Sequence, residues 1–265
     1  MLFAGKTVVS ILTSIRAEVF VFHAFCLFAI ISCRYLVTAG LVWWLIRGRS
    51  IEFDRDDVHD LRLSVVSAGI FALALATAAQ LHSSGLTRIY DRVSTYGWWY
   101  IGASYLIVLV LQDSYFYATH RLFHLPRFYR LTHQGHHRSR RPSPWTSFAF
   151  DPIESLAHAG FLVAIACIVP LHLGTILAVL TTMTIWAVVN HLGLEHLPLR
   201  FPHHWLGRWM IGPAHHSIHH IQQGKHYGLY FTFWDRVMGT ESRGYNDRLR
   251  KTKASIHSCY SVDNQ

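Results

Sequence analysis

Long apolar runs constrain this chain more than any other feature of its sequence. The first covers residues 19–46 and is interrupted only by Arg34, the second covers residues 63–81, and the third covers residues 98–112. About 20 apolar residues span the hydrocarbon core of a bilayer, so the first run is long enough to cross one. Only 15% of all residues are charged, against about 25% in soluble domains. The sequence therefore predicts a polytopic membrane protein.

A fourth apolar stretch, residues 155–190, is broken by Pro170 and Gly174. We expect it to form a helical hairpin, or two spans that return to the side from which they started. Helical character is expected to continue from residue 98 through residue 121. The predicted fold class is all-α, with about four transmembrane helices.

Basic residues predict how these segments are oriented. Six arginines lie within residues 121–141, and nine Lys and Arg residues lie within residues 200–253. Loops rich in Lys and Arg stay on the cytosolic side of a membrane. Both blocks are therefore expected to form a cytosolic, histidine-rich helical cap. The net charge of +9 does not indicate nucleic-acid binding, because the basic residues flank apolar segments rather than form a patch on a soluble domain.

Histidine is the outlier of the composition, with 20 residues, sixteen of them within residues 120–226. Three short boxes, HRLFH, HQGHH and HHSIHH, contain an HxxxH spacing and two HxxHH spacings. Composition alone would give about 0.1 HxxHH matches in a chain of this length. Residues at i, i+3 and i+4 of a helix share one face, so each box should aim its imidazoles in one direction. The candidate ligands are His120, His124, His133, His136, His137, His216, His219 and His220.

Clustered imidazoles predict a metal centre. Imidazole suits Fe, Zn, Cu and Ni. Eight ligands are too many for one ion, since a catalytic zinc site uses about three protein ligands and a water. Eight or nine nitrogens can hold two ions and still leave positions for O2. Carboxylate-bridged di-iron sites solve the same problem with Glu and Glu-x-x-His motifs on facing helices, and we interpret the boxes as a histidine-rich counterpart.

The order and context of the boxes resemble the fatty acid hydroxylase / sterol desaturase superfamily, and among its members the sterol C5-desaturases. DSYFYATHRLFH, HQGHHRSRRPSPWTSFAFDPIE and GPAHHSIHHIQQGKHYGLYFTFWDRVMGT are similar to its three boxes with their flanks. The resemblance covers about residues 60–245 and implies that all eight box histidines are ligands. It also implies a ninth ligand after the hairpin, for which His191 is the best match and His196 the second choice. Whether His215 or His226 also touches metal stays open.

The resemblance further implies two Fe²⁺ ions as cofactors and O2 as co-substrate. The implied reaction is hydroxylation or desaturation of a lipid C–H bond, in a sterol or a fatty acyl chain. Each turnover needs two external electrons. The four cysteines form no CxxC pair, and no second domain for a haem, a flavin or an iron–sulfur cluster is expected. A separate donor, cytochrome b5-like or a ferredoxin, is therefore expected.

We predict three regions: an N-terminal helix and cytosolic loop at 1–62, a catalytic domain at 63–245, and a basic tail at 246–265. The membrane would be the endoplasmic reticulum in a eukaryote or the inner membrane in a bacterium. Three positions differ from residues that the family often has, namely Gln112, Asp151 and His226. Carboxylates that are candidates to orient ligand imidazoles are Asp113, Glu154 and Glu195.

Two other classes of protein stay open. A histidine-rich metal transporter should carry its histidines within the spans, with carboxylates at mid-membrane, whereas the boxes here lie in polar segments. A zinc hydrolase needs a general base, as in HExxH, and no Glu stands inside a box. A catalytically silent relative with a structural role is a third possibility. Hydroxylation and desaturation are not distinguished, because they share their first step.

Overall fold

The structure is a computed structural model that describes residues 17–47, 54–192 and 207–242. These residues are mostly helical, as predicted. The helices are α1 (Ala17–Arg47), α2 (Arg55–Ser83), α3 (Trp98–Phe123), α4 (Pro126–Thr132), α5 (Pro152–Ile168), α6 (Leu173–Asn190), α7 (Pro213–Ile221) and α8 (Phe233–Val237). Short 3-10 turns cover Val93–Thr95, His136–Arg138, Pro144–Phe148 and Gly207–Trp209. Two short strands, β1 (Ile89–Tyr90) and β2 (Leu171–His172), complete the fold.

Within the described ranges, the helices long and apolar enough to cross a membrane are α1, α2, α3 and α6. Their outward surfaces are apolar. Side chains that remain more than half exposed include Phe25, Leu73, Leu106 and Leu177. Such surfaces are stable against lipid tails rather than against water. The prediction of an all-α integral membrane protein with about four spanning helices is confirmed.

The α5–α6 segment forms the predicted hairpin. Its tip, β2, pairs in parallel with β1 in the loop between α2 and α3, so that Ile89 lies opposite Leu171. His172 caps the start of α6 by accepting a hydrogen bond from the backbone N–H of Gly174 at 3.0 Å. Since β1 lies at the end of the bundle opposite the histidine boxes, both hairpin helices run between the two ends. The C-terminus of α6 therefore returns to the box end.

Small residues allow α2 and α5 to pack closely. Ser67, Ala68, Ser155 and Ala159 are all at most 1% exposed. Ser155 donates a hydrogen bond to Ser67 Oγ at 3.0 Å. Small side chains let helix backbones approach each other in a membrane, and serines hydrogen-bond across the contact. This contact fixes α5 and the start of the hairpin against the bundle.

Aromatic rings join α1 to the loop that follows the second box. The Tyr35 hydroxyl donates to the Trp145 carbonyl at 2.8 Å. Tyr35 and Trp43 both meet the Trp145 ring edge to face, with centroids 5.9 and 5.8 Å apart. Such aromatic pairs add about 0.5–1.5 kcal/mol beyond the burial of their area. The loop is thereby held against the membrane bundle.

The second spanning helix begins earlier than predicted, at Arg55 rather than near residue 63. Asp54 caps it by accepting hydrogen bonds from the N–H groups of Asp56 and Asp57, both at 2.8 Å. The proposed domain boundary at residue 62 thus falls within α2. The division into three regions remains a prediction, and residues 246–265 lie outside the described residues.

Replacing Ala159 with Leu should destabilise the protein by about 1–3 kcal/mol, because the larger side chain forces α2 and α5 apart. Thermal unfolding in detergent measures the effect. Gly160→Leu is the matched control, since nothing lies within 4 Å of a Cβ at that exposed position. Equal melting temperatures for the two variants would contradict the close α2–α5 contact.

Candidate metal centre

The three boxes adopt different local structures. His120 lies in the last turn of α3, and His124 is the residue that caps that helix. The third box lies within α7. The second box is not an α-helix, because His133 ends α4 and the chain continues through a turn into the 3-10 segment His136–Arg138. The helical prediction is therefore wrong for the second box.

All nine predicted ligands lie in two adjoining sets of imidazoles. Within each set, the candidate ligand atoms lie within 4.8 Å of one another. The five-imidazole group consists of His120, His124, His133, His137 and His219. The four-imidazole group consists of His136, His191, His216 and His220. The groups adjoin closely, since the ring centroids of His137 and His220 are 4.6 Å apart.

Each HxxHH box divides its imidazoles between the two groups. In the second box, the i and i+4 residues belong to the five-imidazole group, whereas His136 at i+3 belongs to the other. In the third box the assignment is reversed, and only His219 at i+3 joins the five-imidazole group. The expectation that a box aims its imidazoles in one direction is therefore wrong. The fourth member of the smaller group is His191, which directly follows α6.

Backbone carbonyls fix the tautomers of most of these imidazoles. A carbonyl only accepts hydrogen bonds, so a ring nitrogen that contacts it must carry the proton. The contacts join Nδ1 of His120 to Tyr227 O (3.0 Å), His136 to Ala149 O (3.1 Å), His191 to Ala187 O (2.6 Å), His219 to Lys225 O (2.7 Å) and His220 to Ser139 O (2.9 Å). In each of these rings the lone pair is consequently on Nε2.

The Nε2 atoms point toward one another. His120 Nε2 lies 2.9 Å from His133 Nε2, and His216 Nε2 lies 2.9 Å from His191 Nε2 and 3.1 Å from His220 Nε2. Nε2 lone pairs that face each other at such distances repel unless a cation lies between them. The donor set thus fits a metal ion in each group. Nitrogen ligands of this kind suit iron, zinc or copper.

Burial keeps most of these imidazoles uncharged. Burial, reinforced by neighbouring imidazoles, lowers the pKa of His124 and His191 to about 3. The same causes hold the pKa of five further members well below 6.5, namely His133, His137, His216, His219 and His220. The neutral form is the one that binds metal.

One of the three candidate carboxylates does orient an imidazole. Glu154, which is 1% exposed, lies 2.8 Å from Nδ1 of His133 and 3.6 Å from His158. A carboxylate behind a ligand imidazole fixes its orientation and raises its basicity. Asp113 has a different role, because its Oδ1 accepts hydrogen bonds from the N–H groups of residues 229–231. Glu195 lies outside the described residues.

The tail after the third box is held by two buried carboxylates, Asp113 and Asp235. Asp235 accepts from the N–H groups of Tyr227 and Gly228, both at 2.9 Å, and from the Thr240 hydroxyl. These bonds place the Tyr227 carbonyl where His120 donates to it. The tail therefore acts as a support for the first box.

The three departures from the family pattern have structural roles. Gln112 accepts a hydrogen bond from the Tyr230 hydroxyl at 2.9 Å, and Asp151 accepts one from the Gly135 N–H at 2.7 Å. His226 has a φ of 57°, in the left-handed region that also favours Asn. His226 and its ring neighbour His215 belong to neither imidazole group. His196 lies outside the described residues.

Two aspartates at the start of α2 were not predicted as part of the site. Asp60 accepts hydrogen bonds from Ser139 Oγ at 2.8 Å and Thr146 Oγ1 at 2.6 Å. Asp57 accepts one from Ser143 Oγ at 2.7 Å. Since the Ser139 carbonyl in turn accepts from His220, Asp60 positions a member of the four-imidazole group from a distant helix. The spacing of the two aspartates, one helical turn apart, was the available signal.

Comparison with known proteins identifies the class. The fatty acid hydroxylase family matches residues 105–240, slightly more than half of the chain. The chain therefore belongs to this family. The matched region contains all three boxes and the tail, and the resemblance inferred from the boxes is confirmed. No solved structure is significantly similar to the chain.

Among curated proteins, the chain is similar to sterol-modifying enzymes. It is 26% identical over 211 residues to a Delta(7)-sterol 5(6)-desaturase of Gibberella zeae, covering 78% of this chain and 64% of the relative. It is 26% identical over 213 residues to lathosterol oxidase of Rattus norvegicus, covering 78% and 70%. The human lathosterol oxidase is 27% identical over 215 residues, covering 77% and 68%. The chain thus spans about two thirds of the length of these relatives.

Acid should destabilise the metal-free protein. The folded pKa values of His133, His137, His216, His219 and His220 lie well below 6.5, and those of His124 and His191 at about 3, so the unfolded chain binds more protons between these limits. Stability should be fully present above pH 6.5 and fall progressively below it. Melting temperatures measured from pH 8 to pH 4 test this. A His191→Asn variant should show a shallower decline, and an unchanged slope would contradict the assignment.

Removing the Asp60 carboxylate should weaken metal binding at the four-imidazole group. Asp60→Leu leaves the hydroxyls of Ser139 and Thr146 without their acceptor and frees the Ser139 carbonyl to move from His220. Loss of such a supporting contact costs about 10- to 100-fold in metal affinity. Metal titration of the purified protein gives the comparison. Asp60→Asn, which retains an acceptor, should restore most of the affinity, and Asp91→Leu, at an exposed carboxylate beside β1 at the opposite end of the bundle, should have no effect.

Proposed function

We propose that this protein is an O2-dependent di-iron membrane oxidoreductase that hydroxylates or desaturates a lipid C–H bond. The observation that carries the proposal is the pair of adjoining imidazole groups, in which buried Nε2 lone pairs converge. The relatives named for sterol desaturation and lathosterol oxidation favour a sterol as the first substrate class to test. A fatty acyl chain is the second.

In this proposal, the five-imidazole group holds one Fe²⁺ ion and the four-imidazole group holds the other. Bound iron would supply the activation of O2 and the removal of hydrogen from an unactivated C–H bond. The chain itself keeps the imidazoles neutral by burial and aims Nε2 inward through the carbonyl contacts at Nδ1. Glu154 holds the ring of His133. The protein thus sets the geometry, and the metal carries the difficult chemistry.

The overall reaction requires an external reductant. In desaturation, the substrate loses two hydrogens, and O2 is reduced to two waters with two further electrons and two protons. In hydroxylation, one oxygen atom enters the product and the other leaves as water, with the same two electrons. A cytochrome b5-like protein or a ferredoxin is the proposed donor. The basic box end would then face the cytosol, in the endoplasmic reticulum of a eukaryote or the inner membrane of a bacterium.

The alternatives fit the geometry less well. A metal transporter should bind its cargo near mid-membrane, whereas both imidazole groups lie at the end of the helices where α3 and α6 terminate. A zinc hydrolase needs a carboxylate free to act on water, whereas Glu154 contacts His133 and His158. Neither observation favours a second candidate over the oxidoreductase.

Removing one imidazole from either group should lower the iron content by about one ion per chain. Protein loaded with Fe(II) should hold about two irons per chain, and both His219→Ala and His216→Ala should hold about one and lose lipid turnover. Elemental analysis and mass spectrometry of sterol and acyl lipid products provide the readouts. His172→Asn, at the opposite end of the bundle, should retain both irons and activity.

Two results would count against the proposal. Full turnover in either alanine variant would remove that histidine from the ligand set. One tightly held zinc per chain, with no O2 consumption in the presence of reductant, would instead favour the hydrolase or a structural role.

A further inference from the structure

His124 differs from the other eight imidazoles in its exposure. It is the one member of the two groups that is only partly buried, and the four-imidazole group is buried throughout. Among the nine imidazoles, His124 is therefore the one most accessible from outside. A donor at the protein surface can approach the five-imidazole group most directly at this ring.

Aromatic side chains surround His124. The rings of Tyr129 and Tyr227 stand beside it, with centroids at 5.7 and 5.3 Å. Gln223 donates a hydrogen bond to the Tyr129 hydroxyl at 2.7 Å and so joins the turn after α7 to this aromatic cluster. The turn that carries Gln223 also supplies the Lys225 carbonyl to His219. The surface turn is thus bonded directly to a second member of the five-imidazole group.

Basic side chains lie near this aromatic cluster. Arg121 and Arg140 are exposed, and Lys225 is partly exposed. Burial raises the pKa of the Tyr227 phenol, and the charge of Arg121 opposes that rise. For Tyr129, burial likewise raises the pKa, while the Gln223 hydrogen bond and Arg140 oppose the rise and Asp151 adds to it. We call Arg121, Arg140 and Lys225, together with His124, the His124 rim.

The carboxylate whose charge acts on Tyr129, Asp151, does not cancel this charge at the surface. Asp151 is only partly exposed, and its Oδ2 accepts a hydrogen bond from the Gly135 N–H at 2.7 Å. Arg127 and Arg130, both exposed on α4, extend the basic surface beyond the rim. The surface over His124 thus presents a positive field next to a candidate metal ligand.

We propose that the His124 rim is the docking surface for an acidic one-electron donor protein. The inference rests on the proposed function, which requires two external electrons for each turnover. Two donor molecules are each oxidised by one electron, and these electrons, with two protons, complete the reduction of O2. Complementary charge accelerates association and makes it sensitive to salt. Anionic lipid is also attracted to arginines, but it offers no electrons to the exposed ligand at the centre of the rim.

Reversing the rim charge should slow electron entry without changing the metal centre. The probe is the reduced, acidic haem domain of a cytochrome b5, mixed with the iron-loaded oxidised protein and followed by haem absorbance. The wild-type second-order rate constant should fall steeply with added salt. Arg121→Glu with Arg140→Glu should lower it at least about tenfold at low salt and abolish most of the salt dependence. Arg92→Glu, at an exposed arginine in the loop that precedes α3, is the matched control and should leave the rate unchanged.

Reduction by dithionite, which needs no docking surface, distinguishes a failure of donor docking from a failure of the proposed function. Dithionite should reduce the double variant and the wild type equally, with equal iron content. Equal rates with the haem domain in both proteins, or a wild-type rate that does not depend on salt, would overturn the docking surface. A variant that reacts normally with the haem domain but no longer binds vesicles containing phosphatidylserine would assign the rim to lipid instead. Failure of dithionite to reduce bound iron in the wild type would count against the proposed function itself.

Discussion

The hydrogen bond from an imidazole Nδ1–H to a backbone carbonyl is the interaction on which the rest of the structure depends. It fixes the tautomer, so Nε2 keeps its lone pair, and it fixes the ring plane, so the lone pairs converge. The carbonyls come from separate segments: the two loops after the second box, the last turn of α6, the turn after α7, and the tail. Each of these segments must therefore be placed accurately before either imidazole group can form.

Buried carboxylates place most of those segments. Asp60 holds the loop at Ser139, Asp151 holds the turn at Gly135, and Asp113 with Asp235 holds the tail. A buried carboxylate is costly unless its oxygens accept hydrogen bonds, and each of these accepts at least one from a backbone N–H or a hydroxyl. The acids thus tie irregular loops to helices whose positions are set by apolar packing. The residues that support the imidazoles are therefore polar, whereas the surrounding helices pack through apolar side chains.

Much of this could be predicted from the sequence because it has a periodic or compositional signal. The spanning helices follow from the length of their apolar runs, and the nine histidines follow from box spacing and resemblance. The division of each HxxHH box between two groups could not be predicted, because it depends on how α4 ends at His133 and how α7 faces it. The carbonyl acceptors at Ala149 and Ala187 carry no side-chain signal at all. Asp60 looked like an ordinary loop acid until α2 proved to begin at Arg55.

The parallel pairing of β1 with β2 has a consequence for how the protein is assembled. His191 reaches the four-imidazole group only after the hairpin has traversed the bundle, engaged the strand at the far end and returned. The third box follows α6 in the chain, so until then the five-imidazole group lacks His219 and the four-imidazole group has only His136. Both imidazole groups are therefore completed only after correct insertion of the last membrane segment. The four-imidazole group depends most strongly on this step, because three of its four members follow the hairpin.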